Sequence, residues 1–162
     1  MSVARCAHCG RPTEEHSRHL RFKLPEPVLA VPPDERPSRV WGNDVMMMVR
    51  DVGAFVRVLV PVRLSGGYTV TFGAWLGVHP DDLRHAYEVW NEPQYSHLEL
   101  SGRLANKLPP WDEETYGRPL VAVVRNVDEV PYASASADES LQRILTDEWE
   151  HELVLAAVAP FE

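Results

Sequence analysis

The sequence predicts an α+β domain with a mainly antiparallel sheet that contains a long hairpin. Two segments of alternating apolar residues flank a Ser-Gly-Gly turn at 65–67, and apolar residues with helical spacing follow at 81–91 and beyond 139. The sequence has neither repeated strand–helix units nor the Gly-rich phosphate loop of a doubly wound nucleotide-binding fold. We expect one domain over 1–162, with a metal-knuckle-like N-terminal segment (1–19) and an α+β core (20–162).

The hairpin is the clearest predicted element. Its first strand places apolar residues at every second position, and the return strand repeats the stripe: Val56, Val58, Val60, Val62 and Leu64, then Tyr68, Val70, Phe72, Ala74 and Leu76. Arg57 and Arg63 point to the opposite side. Because side chains alternate between the two sides of a strand, the even-numbered side is expected to pack against an apolar layer.

Two helices are expected to cover that apolar side. Pro80 starts the first helix, over 81–91, and the acidic residues in its first turn suit the helix N-terminus. Its apolar side follows the helical spacing: Leu83, Ala86, Tyr87 and Trp90. A capping-box pattern at 136–139 starts the second, which we predict to be a single long C-terminal helix.

Shorter patterns account for the remaining segments. Strands are predicted over 20–24, 45–50 and 120–127. Prolines at 25, 27, 32, 33 and 37 predict an extended connector with at most one helical turn near 33–36, since proline interrupts regular structure. The proline- and glycine-containing segment 92–118 is predicted to be irregular.

Composition limits the functional classes. The 162 residues are 44% hydrophobic and 25% charged, which is typical of a globular protein, and the formal net charge is −8. An acidic chain is a poor match for nucleic acid, which requires basic side chains to neutralise phosphates. No apolar stretch has the length of a membrane span or the pattern of a signal peptide. We therefore expect a cytoplasmic protein whose partner is another protein.

The two cysteines of the chain stand close together, as Cys6 and Cys9, and Gly10 follows them. This Cys-x-x-Cys-Gly pattern is typical of one half of a structural zinc site, because both thiolates face the metal and glycine adopts the tight turn. A structural disulfide is less favoured in a reducing cytoplasm. His16 and His19 complete a set of four zinc ligands.

Other ligand sets remain open from the sequence. The second pair of ligands can instead come from distant histidines such as His79 or His97, or from a second subunit. A solvated N-terminal segment that binds no metal is the simpler alternative. Redox chemistry is disfavoured, since no strand pattern precedes Cys6 to form the strand-to-helix junction of a redox-active pair.

Two functional hypotheses follow. In the first, the protein is a zinc-binding module for protein–protein interaction or regulation, for example one that neutralises a basic toxin as an immunity protein does. In the second, it is a small enzyme with a pocket between the sheet and segment 92–118. The polar groups available to that pocket are His79, His97, Asn106, Asp112 and Glu114.

Several motifs resemble one bacterial family. They are the Cys-x-x-Cys-Gly start, the strand segment Phe72-Gly73-Ala74-Trp75-Leu76 and the segment Leu104-Ala105-Asn106-Lys107-Leu108-Pro109. Together they resemble domain-of-unknown-function family 2199 over residues 6 to about 125. Thr13 stands where members of that family often have a histidine, which shifts the expected ligand to His16. The resemblance implies the cysteine pair and a shared fold, and it implies no activity.

Overall fold

The computed structural model of the protein describes residues 18–158, and within this range the chain forms nine strands and five α-helices. The strands are β1 (Arg18–Arg21), β2 (Val40–Gly42), β3 (Met46–Val49), β4 (Gly53–Leu64), β5 (Tyr68–Val78), β6 (Glu99–Leu104), β7 (Pro119–Val123), β8 (Tyr132–Ala135) and β9 (Glu148–Trp149). The helices are α1 (Glu26–Leu29), α2 (Arg36–Arg39), α3 (Pro80–Val89), α4 (Glu139–Thr146) and α5 (His151–Val158). The predicted α+β class is confirmed.

Strands β4 and β5 form the predicted long hairpin. They pair antiparallel without interruption from Ala54 opposite Val78 to Leu64 opposite Tyr68. At the turn, Gly66 and Gly67 have φ angles of 80° and 83°, in the left-handed region that favours glycine. The even-numbered side is buried as predicted except at Tyr68, which is partly buried beside the turn; its members with no exposed surface are Val56, Val58, Val60, Val62, Val70, Phe72, Ala74 and Leu76.

The hairpin belongs to a closed, barrel-like sheet. Strand β5 pairs with β6, β6 with β7 and β7 with β8, and β8 returns to β4 where Tyr132 lies opposite Leu59. Most pairings are antiparallel, as predicted; β1 beside β5, and β8 and β9 beside β4, are parallel. Helices α3, α4 and α5 contribute buried side chains to the same hydrophobic core as the even-numbered side of the hairpin. Within residues 18–158, no helix has the length and apolar character needed to span a lipid bilayer.

Strand β6 lies in the segment that was predicted to be irregular. Its burial alternates, with Leu100 and Leu104 buried and Glu99, Ser101 and Arg103 exposed. Gly102 interrupts the row of apolar residues on one side of this strand. The structure shows why glycine is needed at this position, because a Cβ there would lie 2.0 Å from the carbonyl oxygen of Gly77. The strand pattern is therefore present but weakened by a glycine that close backbone packing requires.

The prediction of a single long C-terminal helix is wrong. Helix α4 ends at Thr146, strand β9 pairs with the end of β4, and α5 starts at His151. Contacts from the hairpin turn stabilise the break, since the Arg63 guanidinium donates to the Thr146 carbonyl and the Ser65 hydroxyl accepts from the His151 amide. Apolar residues with helical spacing cannot reveal such a tertiary contact.

The odd-numbered side of the hairpin forms a second, smaller core. Val28, Met47, Val49, Phe55, Trp75 and Ala105 pack there, with Phe22 and Leu24 partly buried against them. The chain that follows β1 therefore lies across the outer side of the sheet. Arg57, on the same side of β4, is only 4% exposed.

Candidate functional site

Segment 22–26, which we call the strap, is fastened to the sheet by buried polar groups. The Trp75 indole Nε1 donates to the Phe22 carbonyl at 3.2 Å, and the Asn106 amide Nδ2 donates to the Leu24 carbonyl at 2.9 Å. Asn106 Oδ1 also accepts from the Trp75 backbone amide at 2.8 Å. Trp75 and Asn106 are completely buried. The strand motif and the Asn-containing motif of the family resemblance thus meet beneath the strap.

Arg57 is the charged member of this polar arrangement. Its Nε donates to the Asp44 carbonyl at 3.0 Å, and its Nη1 donates to the carbonyls of Phe22 at 2.5 Å and Gly73 at 2.6 Å. The guanidinium lies 4.2 Å from the ring centroid of Trp75, the residue opposite it on β5. Burial lowers the pKa of Arg57 to about 10, with a smaller contribution in the same direction from Arg21. Arg57 therefore stays charged at neutral pH.

A cavity of about 250 Å³ opens beside this guanidinium. We call it the cationic pocket, because Arg57 and Arg21 line it; its other lining residues are His19, Leu20, Val45, Leu59, Gly73 and Val130. Arg21 pairs with Asp44 at 3.4 Å, and both of those side chains are more than half exposed. The pocket thus combines one buried and one exposed arginine with mainly apolar walls.

A second cavity of about 250 Å³ lies between β2, β3 and α3. We call it the aromatic groove; its lining residues are Trp41, Met48, Pro80, Leu83, Arg84 and Tyr87. The rings of Trp41 and Tyr87 meet edge to face with centroids 5.7 Å apart. The two residues are 52% and 59% exposed, which is unusual for side chains of this size.

The turn of the hairpin holds a cluster of serine, histidine and glutamate. Ser65 Oγ lies 2.6 Å from His151 Nδ1, and Glu150 Oε1 lies 3.4 Å from the same hydroxyl and 3.6 Å from the same ring nitrogen. A hydrolytic triad requires the serine and the carboxylate on opposite ring nitrogens. Here both groups contact Nδ1, and Ser65 also accepts from the His151 amide, so these contacts join the turn to the start of α5.

A third cavity, of about 340 Å³, lies near segment 92–118, beside a cavity of about 420 Å³ with which it shares several lining residues. Trp90, Tyr95, Asp128 and Glu129 are among its lining residues. The Tyr95 hydroxyl donates to the Glu129 carbonyl at 2.5 Å, and burial raises the pKa of Tyr95 to about 12. This hydroxyl is therefore used within the fold and keeps its proton at neutral pH.

The structure does not gather the five polar groups of the enzyme hypothesis at one cavity. His79 caps the start of α3, His97 ends a 3-10 turn, and Asp112 and Glu114 are exposed. Asn106 is buried beneath the strap. None of the five lines any of the cavities described above.

Of the predicted zinc ligands, Cys6, Cys9 and His16 lie outside the described residues. His19 is exposed on β1, opposite Thr71 of β5, and its imidazole makes no hydrogen bond or ion pair within residues 18–158. In that part of the chain no three His, Cys, Asp or Glu side chains are grouped closely enough to hold a metal.

The sequence signals for these sites were uneven. Arg57 is the one charged residue in the apolar stretch 54–62, and an arginine in that setting indicates a buried charge with a specific role. Trp41 had a weaker signal, because a tryptophan in a sequence can either pack in a core or line a pocket. Only the packing of β2 beside α3 reveals that it stays exposed.

Fold and site together define a small α+β protein with a closed sheet, a cationic pocket and an aromatic groove. The chain belongs to an uncharacterized protein family conserved in bacteria (DUF2199), which it matches over residues 5–147. No curated protein and no solved structure matches the chain.

Proposed function

We propose that the protein is a non-catalytic binding module that holds a basic protein partner in the aromatic groove and carries a structural zinc ion at its N-terminal segment. The exposed Trp41–Tyr87 pair is the observation that supports this most directly. Tryptophan, tyrosine and arginine dominate the binding energy of protein interfaces, and the groove contains all three.

The geometry of the groove suits an inserted side chain of a protein. The two rings, Met48 and Leu83 give it an apolar floor and walls, and Arg84 lies at its rim with 71% of its side chain exposed. Strand β2, which carries Trp41, ends the strand order of the sheet within residues 18–158. A partner therefore has access both to the groove and to the strand beside it.

The charge of the chain favours a basic partner. A net charge of −8 attracts a positively charged protein over long range and speeds its association. A lysine or arginine next to the anchoring side chain also gains from the ring faces of Trp41 and Tyr87. A module of this kind fits a regulatory or immunity-like role, in which it masks a basic protein.

The uncommitted imidazole of His19 supports the zinc site. It is exposed at the start of the described chain, three residues after His16, so it is available to ligands from the N-terminal segment. Two thiolates and two imidazoles are a usual ligand set for structural zinc. In this proposal zinc fixes the N-terminal segment to β1.

Elemental analysis of the full chain tests the zinc site. We expect one zinc per chain, lost in the Cys6→Ser, Cys9→Ser double variant together with thermal stability. His19→Ala is expected to lower zinc affinity about 10–100-fold, whereas His85→Ala, an exposed histidine elsewhere, is expected to leave it unchanged. Equal zinc content in the wild type and the double cysteine variant would refute the site.

Reconstitution with a purified partner tests the groove. Basic proteins captured from bacterial extract by the full chain are purified and titrated against wild type and against Trp41→Ser, Tyr87→Ser. We expect binding to weaken at least about 30-fold in the double variant and to weaken with added salt. Leu153→Ser, which changes an exposed apolar residue elsewhere, is the matched control. Equal affinity for wild type and the double variant contradicts the proposal.

A further inference from the structure

The geometry points to a second binding site: we infer that the cationic pocket binds a small carboxylate with an apolar body, whose carboxylate group pairs with Arg57 and Arg21. The site is separate from the aromatic groove, since the two cavities share no lining residue. It adjoins the proposed zinc site, because His19 lines the same cavity, but neither of the two arginines that carry the inference is a proposed metal ligand.

The first argument is the charge of Arg57. The residue is 4% exposed, and the hydrogen-bond acceptors of its guanidinium are backbone carbonyls rather than a carboxylate. A buried charge without a counter-ion is costly, and carbonyl dipoles compensate for it only in part. The Asp44 carboxylate favours the charged form of Arg57 only from the exposed surface, and an anion bound in the pocket supplies a direct counter-charge.

The second argument is the free nitrogen of the same group. Nε and Nη1 are occupied, whereas Nη2 has no acceptor within residues 18–158. Among those residues, Trp149 Nε1 is the only side-chain nitrogen or oxygen that is both sealed from solvent and unpaired. Arg57 Nη2 is therefore accessible, and the cavity that Arg57 lines is the route to it. One donor of a nearly buried cation is thus available to a ligand.

The mouth of the pocket provides the second cationic contact. Arg21 lines the cavity, and its side chain is 59% exposed. Its partner Asp44 is 85% exposed, so their ion pair is weak and a ligand can compete for the arginine. Asp44 is the carboxylate that a bound anion must avoid, and its position at the surface leaves the deeper part of the pocket free of negative charge.

The apolar residues that line the pocket indicate which class of anion it binds. Leu20, Val45, Leu59 and Val130 surround the arginines with apolar surface, which fits a hydrocarbon body. A phosphate group has more oxygens to satisfy than these few donors can serve, whereas a carboxylate has two. The volume of about 250 Å³ lies below the roughly 300–1,000 Å³ of pockets for drug-sized ligands, so the ligand is small.

Calorimetric titration of the full chain tests the inference, with hexanoate and benzoate as probes. We expect both to bind with dissociation constants below about 1 mM. Hexanamide, which has the same body without the charge, is expected to bind at least about tenfold more weakly. Inorganic phosphate is expected not to bind. Absence of carboxylate binding in the millimolar range, or binding of phosphate in place of the carboxylates, overturns the inference.

Variants locate the binding. Arg57→Met removes the buried donor and Val130→Phe fills the pocket, and each is expected to abolish carboxylate binding. Arg21→Ala is expected to weaken it about tenfold, and Arg50→Ala, an exposed arginine outside the pocket, is the control that leaves it unchanged. If Arg57→Met fails to fold, Val130→Phe decides the result. Wild-type affinity in the folded Val130→Phe variant overturns the inference.

Discussion

The strap region and the aromatic groove use the same kinds of side chain in opposite ways. Beneath the strap, Trp75 is fully buried and its indole donates to a strap carbonyl. In the groove, Trp41 is half exposed and contacts another exposed ring. The fold uses the polar atoms of the first tryptophan and leaves the surface of the second available. Residues of the strap region should therefore control stability, and residues of the groove should control binding.

Replacing Asn106 is expected to have the largest effect on stability. Asn106→Leu leaves the Trp75 backbone amide and the Leu24 carbonyl without their partners in a buried setting. Each unpaired buried group costs on the order of 1–3 kcal/mol, so we expect the free energy of unfolding to fall by about 3 kcal/mol or more. Urea denaturation measures this loss.

The exposed Asn91 provides the control for that substitution. Asn91→Leu makes the same chemical change outside the strap region and should alter the free energy of unfolding by less than about 0.5 kcal/mol. If the two variants are equally stable, the strap is not fastened by Asn106 and the comparison fails.

Arg57→Met is expected to have a smaller effect, of about 1–2 kcal/mol. The carbonyls of Phe22 and Gly73 keep donors in the Trp75 indole and the Phe22 amide, and Asp44 is exposed to water. Removal of a buried charge offsets part of the lost hydrogen bonding. Urea denaturation of Arg57→Met and Asn106→Leu side by side shows which variant loses more free energy of unfolding. If Arg57→Met loses more free energy of unfolding than Asn106→Leu, the guanidinium serves mainly to stabilise the fold.

The smallest effect is expected in the aromatic groove. The Trp41→Ser, Tyr87→Ser double variant loses one edge-to-face ring contact and little buried surface. We expect its free energy of unfolding to fall by about 1 kcal/mol or less, because such pairs contribute about 0.5–1.5 kcal/mol. Thermal and urea unfolding measure the change. If its free energy of unfolding falls as far as that of Asn106→Leu, the two rings contribute to the stability of the fold as core residues do.

The hairpin and helix α3 were predictable because their signals are local. Alternation from Val56 to Leu76 specifies two paired strands with one buried side, and Pro80 with the following apolar spacing specifies the helix. Strand β6 was missed since Gly102 weakens its pattern, although that glycine is required by the nearby Gly77 carbonyl. The break between α4 and α5 was missed because it depends on contacts from the hairpin turn.

The candidate sites were less predictable than the fold. The strap joins Phe22 and Leu24 to Trp75 and Asn106, residues more than fifty positions apart in the chain. The cationic pocket likewise combines Arg21 with Arg57 and Val130. A sequence pattern describes neighbours along the chain, and these groups become neighbours only when the sheet closes.

The sequence by itself determined the α+β class, the hairpin with its buried even-numbered side, and the family to which the chain belongs. Only the tertiary structure decided the closure of the sheet, the burial of Arg57 and the exposure of Trp41. The physical reason is that periodicity specifies which sides of an element are apolar, whereas burial of a particular side chain depends on which distant segment comes to lie over it.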